Sequence, residues 1–325
     1  MAIRGGIDLG GTKVQAIVFD TAAEKVLGQG RRPTPQQGGP PAVVDGLVGC
    51  LEEAAAQAGI AVSKLSGVGV GSPGEIDVDR GTVAHASNLP DWDQAVPLAS
   101  ILGQRTGATV TLGNDVDVAT QAEFALGSGR DADSLLGVFW GTGVGGGLIL
   151  DGRPWSGRGG AGEIGHLVVE RDGARCPCGR RGCLEAYAGR RAMEERARHK
   201  LEKGDKTDLF KIMEEKGREN LSSGVWAHAL EQGDKLAEEL IERAVQALGA
   251  GIASAVNLLD VELVVIGGGL GVRFGEPMAQ RIREAMAPHL FFDERPPGVQ
   301  IAALGDLGGA IGAALLSEHS HPVAV

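Results

Sequence analysis

Apolar and polar positions change their period several times along the 325-residue chain. Residues 4–9 and 14–20 alternate as two short strands, split by the turn Gly10-Gly11-Thr12-Lys13. Residues 31–41, rich in Pro, Gln and Gly, read as a loop, and 42–58 carry a helical pattern with the pair Glu52-Glu53. A short apolar run at 67–71 predicts a buried strand closed by Ser72-Pro73-Gly74. A helix over 91–106, a strand over 109–112 and an amphipathic helix over 114–126 with a polar cap follow. The opening pattern then recurs about 130 residues later: strand 135–140, a glycine turn over 141–146, strand 147–150. Residues 185–259 are mostly helical, 234–259 being the longest such stretch. A strand over 261–266 ends in Gly267-Gly268-Gly269, and 307–316 form a small-residue helix. Strands and helices in this order predict an α/β protein of two related halves. The boundary is expected near Gly113: a small half over 1–113, rejoined by the C-terminal segment 307–325, and a large half over 114–306.

Composition narrows the chemistry. Glycine supplies 53 residues and proline 14, too few for low-complexity disorder and without a collagen period. The excess glycine is expected in tight turns and close backbone approaches, as where a loop holds phosphate. The net charge of −11 disfavours a general nucleic-acid binder. No apolar run is long enough to span a bilayer, and no secretory signal pattern opens the chain. Cys176, Cys178 and Cys183 cluster while Cys50 stands alone, so paired disulfides are not the expectation and a reducing, cytoplasmic setting is.

Three phosphate-binding patterns can be tested. A P-loop needs Gly-Lys followed by Ser or Thr, and the chain has no Gly-Lys dipeptide. Gly141, Gly143 and Gly146 have dinucleotide-fold spacing, but Gly147-Leu148-Ile149-Leu150 after them reads as a strand where that motif needs a helix. The third pattern is a pair of hairpin turns whose backbone N–H groups face phosphates, with Thr12 and Thr142 adding hydroxyl donors. Asp8, just before the first turn, would repel a phosphate unless a cation lay between them, which points to Mg²⁺ held through water. Ordinary hairpin turns, with Asp8 as a turn acceptor, are the plainer alternative.

His166 precedes Cys176 by ten residues; Cys178 follows by two and Cys183 by five more. Three thiolates and one imidazole are the donor set of a closed, tetrahedral structural Zn²⁺ site. Gly173, Pro177, Gly179 and Gly182 supply the turns that such convergence needs.

The segments Gly162-Glu163-Ile164-Gly165-His166 and Cys176-Pro177-Cys178-Gly179-Arg180-Arg181-Gly182-Cys183-Leu184-Glu185 closely resemble the signature of the ROK family (repressors, open reading frames and sugar kinases). Asp8-Leu9-Gly10-Gly11-Thr12-Lys13 resembles its first phosphate motif, Gly141-Thr142-Gly143 its second, and Gly267-Gly268-Gly269 its adenosine motif. The resemblance covers nearly the whole chain and is nearest to bacterial ATP-dependent glucokinases. It implies an actin-like ATPase (ribonuclease H-like) fold, two α/β lobes around a ligand cleft, and commonly a homodimer or homotetramer. It implies ATP and Mg²⁺ as nucleotide and cation, and a hexose as acceptor.

Asp115 follows a strand and opens a helix, so it serves either as a cap or as the base that accepts the sugar hydroxyl proton. The resemblance implies the base. It also implies sugar contacts from Asn114, Glu163, His166 and Glu185, and from Asn88 within Asn88-Leu89-Pro90-Asp91-Trp92. His166 would then bind zinc with one ring nitrogen and face the sugar with the other. Family kinases usually read Asn-Asp-Ala-Asn at the base; here it is Asn114-Asp115-Val116-Asp117. Residues two apart on a helix point in different directions, so little effect of Asp117 on the base is expected. The expected reaction is ATP-dependent phosphorylation of glucose to glucose 6-phosphate. The alternatives are a kinase for N-acetylmannosamine, N-acetylglucosamine, fructose or allose, a polyphosphate-using glucokinase, and a sugar-sensing repressor. Only seven residues precede Asp8, which speaks against a DNA-reading domain, and polyphosphate users generally lack the cysteine cluster.

Overall fold

The computed structural model of the chain describes residues 3–86 and 88–317. In chain order the strands and helices are β1 Ile3–Leu9, β2 Lys13–Asp20, β3 Lys25–Pro33, α1 Gly39–Ala58, β4 Val68–Ser72, β5 Glu75–Asp77, β6 Thr82–Ala84, α2 Leu98–Thr106, β7 Val110–Asn114 and α3 Asp115–Leu126. There follow β8 Leu135–Trp140, β9 Val144–Leu150, β10 Arg153–Pro154, α4 Glu185–Ala188, α5 Arg190–Glu202, α6 Leu209–Glu215, α7 Ser223–Glu231, α8 Lys235–Leu259, β11 Leu263–Gly267, α9 Gly268–Met286, β12 Gly298–Ile301 and α10 Gly308–Leu316. They divide into two compact units, residues 3–127 with 306–317, and residues 128–305.

The first unit is built on a five-stranded sheet in the order β3-β2-β1-β4-β7. The hairpin strands β1 and β2 are antiparallel, whereas β1, β4 and β7 run parallel. Apolar side chains of the sheet, among them Ile7, Leu9, Val70 and Leu112, pack with Leu47, Leu51, Leu98 and Leu102 from α1 and α2. Helix α10 lies very close to the sheet: a Cβ added at Gly69 would come 1.7 Å from the carbonyl oxygen of Ala313. That approach needs glycine in the strand, and it accounts for part of the glycine excess. The second unit repeats the arrangement with the order β10-β9-β8-β11-β12, again an antiparallel hairpin beside parallel strands. Its core gathers the apolar face of the long α8, including Leu240, Ile241, Leu248 and Ile252, with Val138, Val264, Ile266 and Ile282.

Several expectations need correction. The strand β3 was not foreseen, and it takes in Arg31–Pro33 of the expected 31–41 loop, with Arg32 paired to Val14. The helix expected over 91–106 is confined to Leu98–Thr106; Pro97 stands at its start, where proline is tolerated. The stretch before it instead buries Trp92, whose ring N–H donates to the Val83 carbonyl at 3.0 Å. The glycine turn expected over 141–146 is shorter, because Val144 already pairs with Trp140 in the β8–β9 ladder. The boundary lies at Gly127 rather than Gly113: α3 stays in the first unit, where it packs on α10, and Gly312 sits against the Val118 carbonyl. Of the segment 307–325, Gly308–Leu316 is helix α10 of that unit, and 318–325 lie outside the described residues. Helix α9, directly after β11, and strand β12 were also unforeseen.

Candidate active site and metal centre

In the first unit the parallel strands β1, β4 and β7 end together, Asp8 level with Gly71 and Ser72 level with Asn114. Asn114 is the N-cap of α3; its side-chain oxygen accepts from the N–H groups of Val116 at 3.0 Å and Asp117 at 3.2 Å. Asn114 therefore does the capping, which leaves Asp115 free for another role. Asp115 begins the helix itself and accepts from the Val116 N–H at 3.0 Å. Burial raises its pKa to about 7, the charge of Asp8 adds to the rise, and the Val116 hydrogen bond opposes it. Asp117 pushes the same way with less weight, so the carboxylate that sequence reading overlooked as a neighbour is Asp8. Asp8 is itself raised to about 6 by burial, eased by Lys13 and reinforced by Asp306. Its carboxyl lies against Gly309 in the first turn of α10, and Asp306 pairs with Lys13 at 3.4 Å.

The turn between β1 and β2 is tied back through its carbonyls. Thr34 Oγ1 donates to Gly10 O at 2.6 Å, Gln36 Nε2 to Gly11 O at 3.0 Å, and the Thr34 N–H to Thr12 O at 3.2 Å. Gly11 packs on Asn88, whose Cβ would stand 2.8 Å from a Cβ placed there. Structure thus brings Asn88, Asp8, Gly10, Gly11, Thr12 and Lys13 into one neighbourhood. Thr34 and Gln36 were missed because the 31–41 stretch looked like featureless loop.

The corresponding turn of the second unit, Gly141-Thr142-Gly143, is tied back by a helix instead. The first N–H groups of α5, from Arg190 and Arg191, donate to Gly141 O and Thr142 O, each at 3.1 Å. Arg190 Nη2 also reaches Thr142 Oγ1 at 3.0 Å. Glu185 Oε2 accepts from the Val144 N–H at 2.9 Å, so one oxygen of this expected sugar contact is occupied in the turn. Gly267 ends β11 and Gly268 and Gly269 open α9, so the third glycine motif is a strand-to-helix junction. Gly268 has φ +78° and lies against the Trp140 backbone, where a Cβ would meet the carbonyl oxygen at 2.5 Å. That brings the junction beside Gly141, from which an added Cβ would be 3.8 Å from Gly269 N. Ser223 borders Gly269, and a cavity of 640 Å³ opens nearby, its polar lining made of Lys216, Arg218, Ser222, His228, Glu231 and Arg273.

The four expected metal ligands do converge. The ligand atoms of His166, Cys176, Cys178 and Cys183 lie within 4.8 Å of one another. Nδ1 of His166 is 3.8 Å from Cys176 Sγ, and Cys178 Sγ is 3.8 Å from Cys183 Sγ. The loop closes through Cys176 N–H to Arg180 O at 2.8 Å and Gly179 N–H to Cys176 O at 2.9 Å. Nε2 of His166 faces Glu163, 3.9 Å from Oε2, on the side of the ring away from the thiols. The cluster is a candidate metal centre of Cys₃His type.

Among the described residues no helix is long and apolar enough to cross a membrane. A family model described as "ROK family" matches residues 4–320. A glucokinase of Thermotoga maritima is 34% identical over 286 residues, covering 88% of this chain and 87% of that protein. An N-acetyl-D-glucosamine kinase of Pectobacterium atrosepticum is 33% identical, covering 96% of this chain and 97% of that protein. Among solved structures, a ROK family glucokinase from Streptomyces griseus in complex with glucose and AMPPNP superposes with a TM-score of 0.84 at 31% identity, covering 98% of this chain and all of that one.

Proposed function

The chain belongs to the ROK family and has its actin-like ATPase fold, and from that premise we propose that it is an ATP-dependent sugar kinase with glucose as its acceptor. The observation that carries the reading is Asp115, a carboxylate at the end of the parallel strands with its proton affinity lifted toward neutrality. Such a group is matched to taking a hydroxyl proton near pH 7. As the hexose hydroxyl oxygen forms its bond to the γ-phosphorus, the bond to the ADP oxygen breaks and the hydroxyl proton passes to Asp115. Asn88 and Asn114 in the first unit, and Glu163, His166 and Glu185 in the second, are assigned the sugar hydroxyls. Amides and carboxylates suit this because each bonds two neighbouring hydroxyls.

The two carbonyl-tied turns, with Thr12, Lys13, Thr142 and Gly143, are assigned the phosphates, and Gly267, Gly268 and Gly269 the adenosine beside the cavity. Asp8 would hold hydrated Mg²⁺, which neutralises phosphate charge when bound. The metal cluster fits Zn²⁺: tetrahedral thiolates at ~2.3 Å from the ion stand about 3.8 Å apart, the separation found between Cys178 and Cys183. Four protein ligands would leave no open position, so a bound metal would fix the His166 ring rather than take part in the reaction. Use of ATP and a cluster of unpaired cysteines support a reducing, cytoplasmic setting.

The N-acetylglucosamine kinase relative favours a second reading, phosphorylation of an N-acetylhexosamine at the same site. A coupled ADP-release assay over hexoses and N-acetylhexosamines decides. Glucose should give the highest kcat/KM; a preference for an N-acetylhexosamine replaces the substrate, and no ADP release with any sugar removes the kinase reading.

A further inference from the structure

The contact between Arg190 and Thr142 has a chemical consequence for the nucleotide site. A guanidinium carries donors and no acceptor, so its 3.0 Å contact must use a lone pair of Thr142 Oγ1. The hydroxyl's single hydrogen is then left for another acceptor. Arg190 is held in place by its second contact, Nη1 to the Leu221 carbonyl at 3.1 Å. The turn's carbonyls at Gly141 and Thr142 are occupied by the first amides of α5, and the N–H groups of Thr142 and Gly143 have no partner among the described residues. The acceptor that would satisfy all three donors is an anion. Helix energetics do not explain the arginine, because a cation in the first turn of a 13-residue helix opposes the macrodipole. Both the arginine and the helix terminus add positive potential beside the turn, offsetting the Glu185 carboxylate bonded to the Val144 N–H.

We propose that Arg190 is a positioning residue of the nucleotide site: it occupies Thr142 Oγ1 from behind and so commits the Thr142 hydroxyl to donate to a nucleotide phosphate. This rests on the kinase reading. It predicts that the benefit of Arg190 passes through the hydroxyl and vanishes when the hydroxyl is removed.

The test is a double-mutant cycle read by AMPPNP binding with Mg²⁺ in calorimetry, and by KM for ATP and for glucose. Arg190→Leu and Thr142→Val should each weaken AMPPNP about tenfold, and the double variant should also lose about tenfold rather than a hundredfold. KM for glucose should stay within about twofold throughout. Arg190→Lys, which keeps an N–H donor on a side chain one bond shorter, should bind AMPPNP more tightly than Arg190→Leu, and it keeps the test open if Arg190→Leu does not fold. Multiplying losses in the double variant, equal damage to glucose KM, or an Arg190→Lys as weak as Arg190→Leu would each overturn the proposal while leaving the kinase reading standing. An unaltered chain that binds no AMPPNP overturns both.

Discussion

The two units share one sheet order and one hairpin, yet they secure the glycine turn at its tip differently and place different chemistry beside it. In the first unit the turn's carbonyls are tied by Thr34 and Gln36, side chains and backbone of an irregular segment. In the second they are tied by the amides at the start of α5. Either way the electron-rich oxygens are occupied, which a turn meant for phosphate needs and an ordinary hairpin does not. The carboxylates differ more. Asp8 and Asp115 sit at the strand ends of the first unit, both held at raised proton affinity. The strand ends of the second unit carry Gly267, Gly268 and the Arg190 contact, and its acidic Glu185 is turned into a hydrogen bond with Val144. Under the proposed function, repetition supplies two grips, and divergence assigns proton transfer to one unit and rigid positioning to the other.

The sharpest way to break that division is Asp115→Asn. Asparagine keeps an acceptor for the Val116 N–H and loses the basic oxygen. Turnover should fall about a thousandfold with KM for glucose and ATP little changed. Near-normal turnover would take the proton-transfer role away from the first unit altogether.

The second unit's role is tested at its candidate metal centre. Native mass spectrometry should find one metal per chain, and zinc by elemental analysis. Stripping it, or making Cys178→Ser, should lower the unfolding midpoint by roughly ten degrees and cost activity through lost sugar affinity. A metal-free chain that melts at the same temperature and works as well would leave the Cys₃His cluster without a structural purpose.

How much of this could be read in the chain alone varies with the kind of signal. The convergence of His166, Cys176, Cys178 and Cys183 was legible because thiols are rare and their spacing is local: four residues within one short segment. The paired hairpins were legible because Gly-Thr turns interrupt clear strand alternation. Strand β3 escaped, since Arg31, Arg32 and Pro33 look like loop and their pairing with β2 is a tertiary fact. The α3 boundary was misjudged because local pattern says where a helix begins, not which sheet it packs on. Asp117 drew attention by being two residues from Asp115, whereas the stronger neighbour, Asp8, is more than a hundred residues away in sequence and two strands away in the sheet. Parallel β1, β4 and β7 bring them to one edge, and only the topology could say so.

The smallest expected effect concerns stability, and it separates the two units again. An aspartate ordinarily titrates near 3.8, and that value holds in the unfolded chain. In the folded protein Asp8 sits at about 6 and Asp115 at about 7. Between pH 4 and 7 the folded state therefore holds more protons than the unfolded one, so these two groups make stability fall as pH rises. By about pH 8 both are largely ionised in either state and nearly the whole cost is present. Asp115→Asn removes the larger contribution and also relieves Asp8 of a charged neighbour. The unliganded variant should match the unaltered protein near pH 4.5 and melt about 3 °C higher at pH 8, by calorimetry without nucleotide or sugar. Other titrating groups are common to both proteins and cancel in the difference. Asp117→Asn should give a smaller gain, because its charge weighs less on Asp115 than that of Asp8 does. If Asp115→Asn melts no higher at pH 8 than the protein it came from, the carboxylate is not held against its own charge, and the strained base that sets the first unit apart from the second is lost.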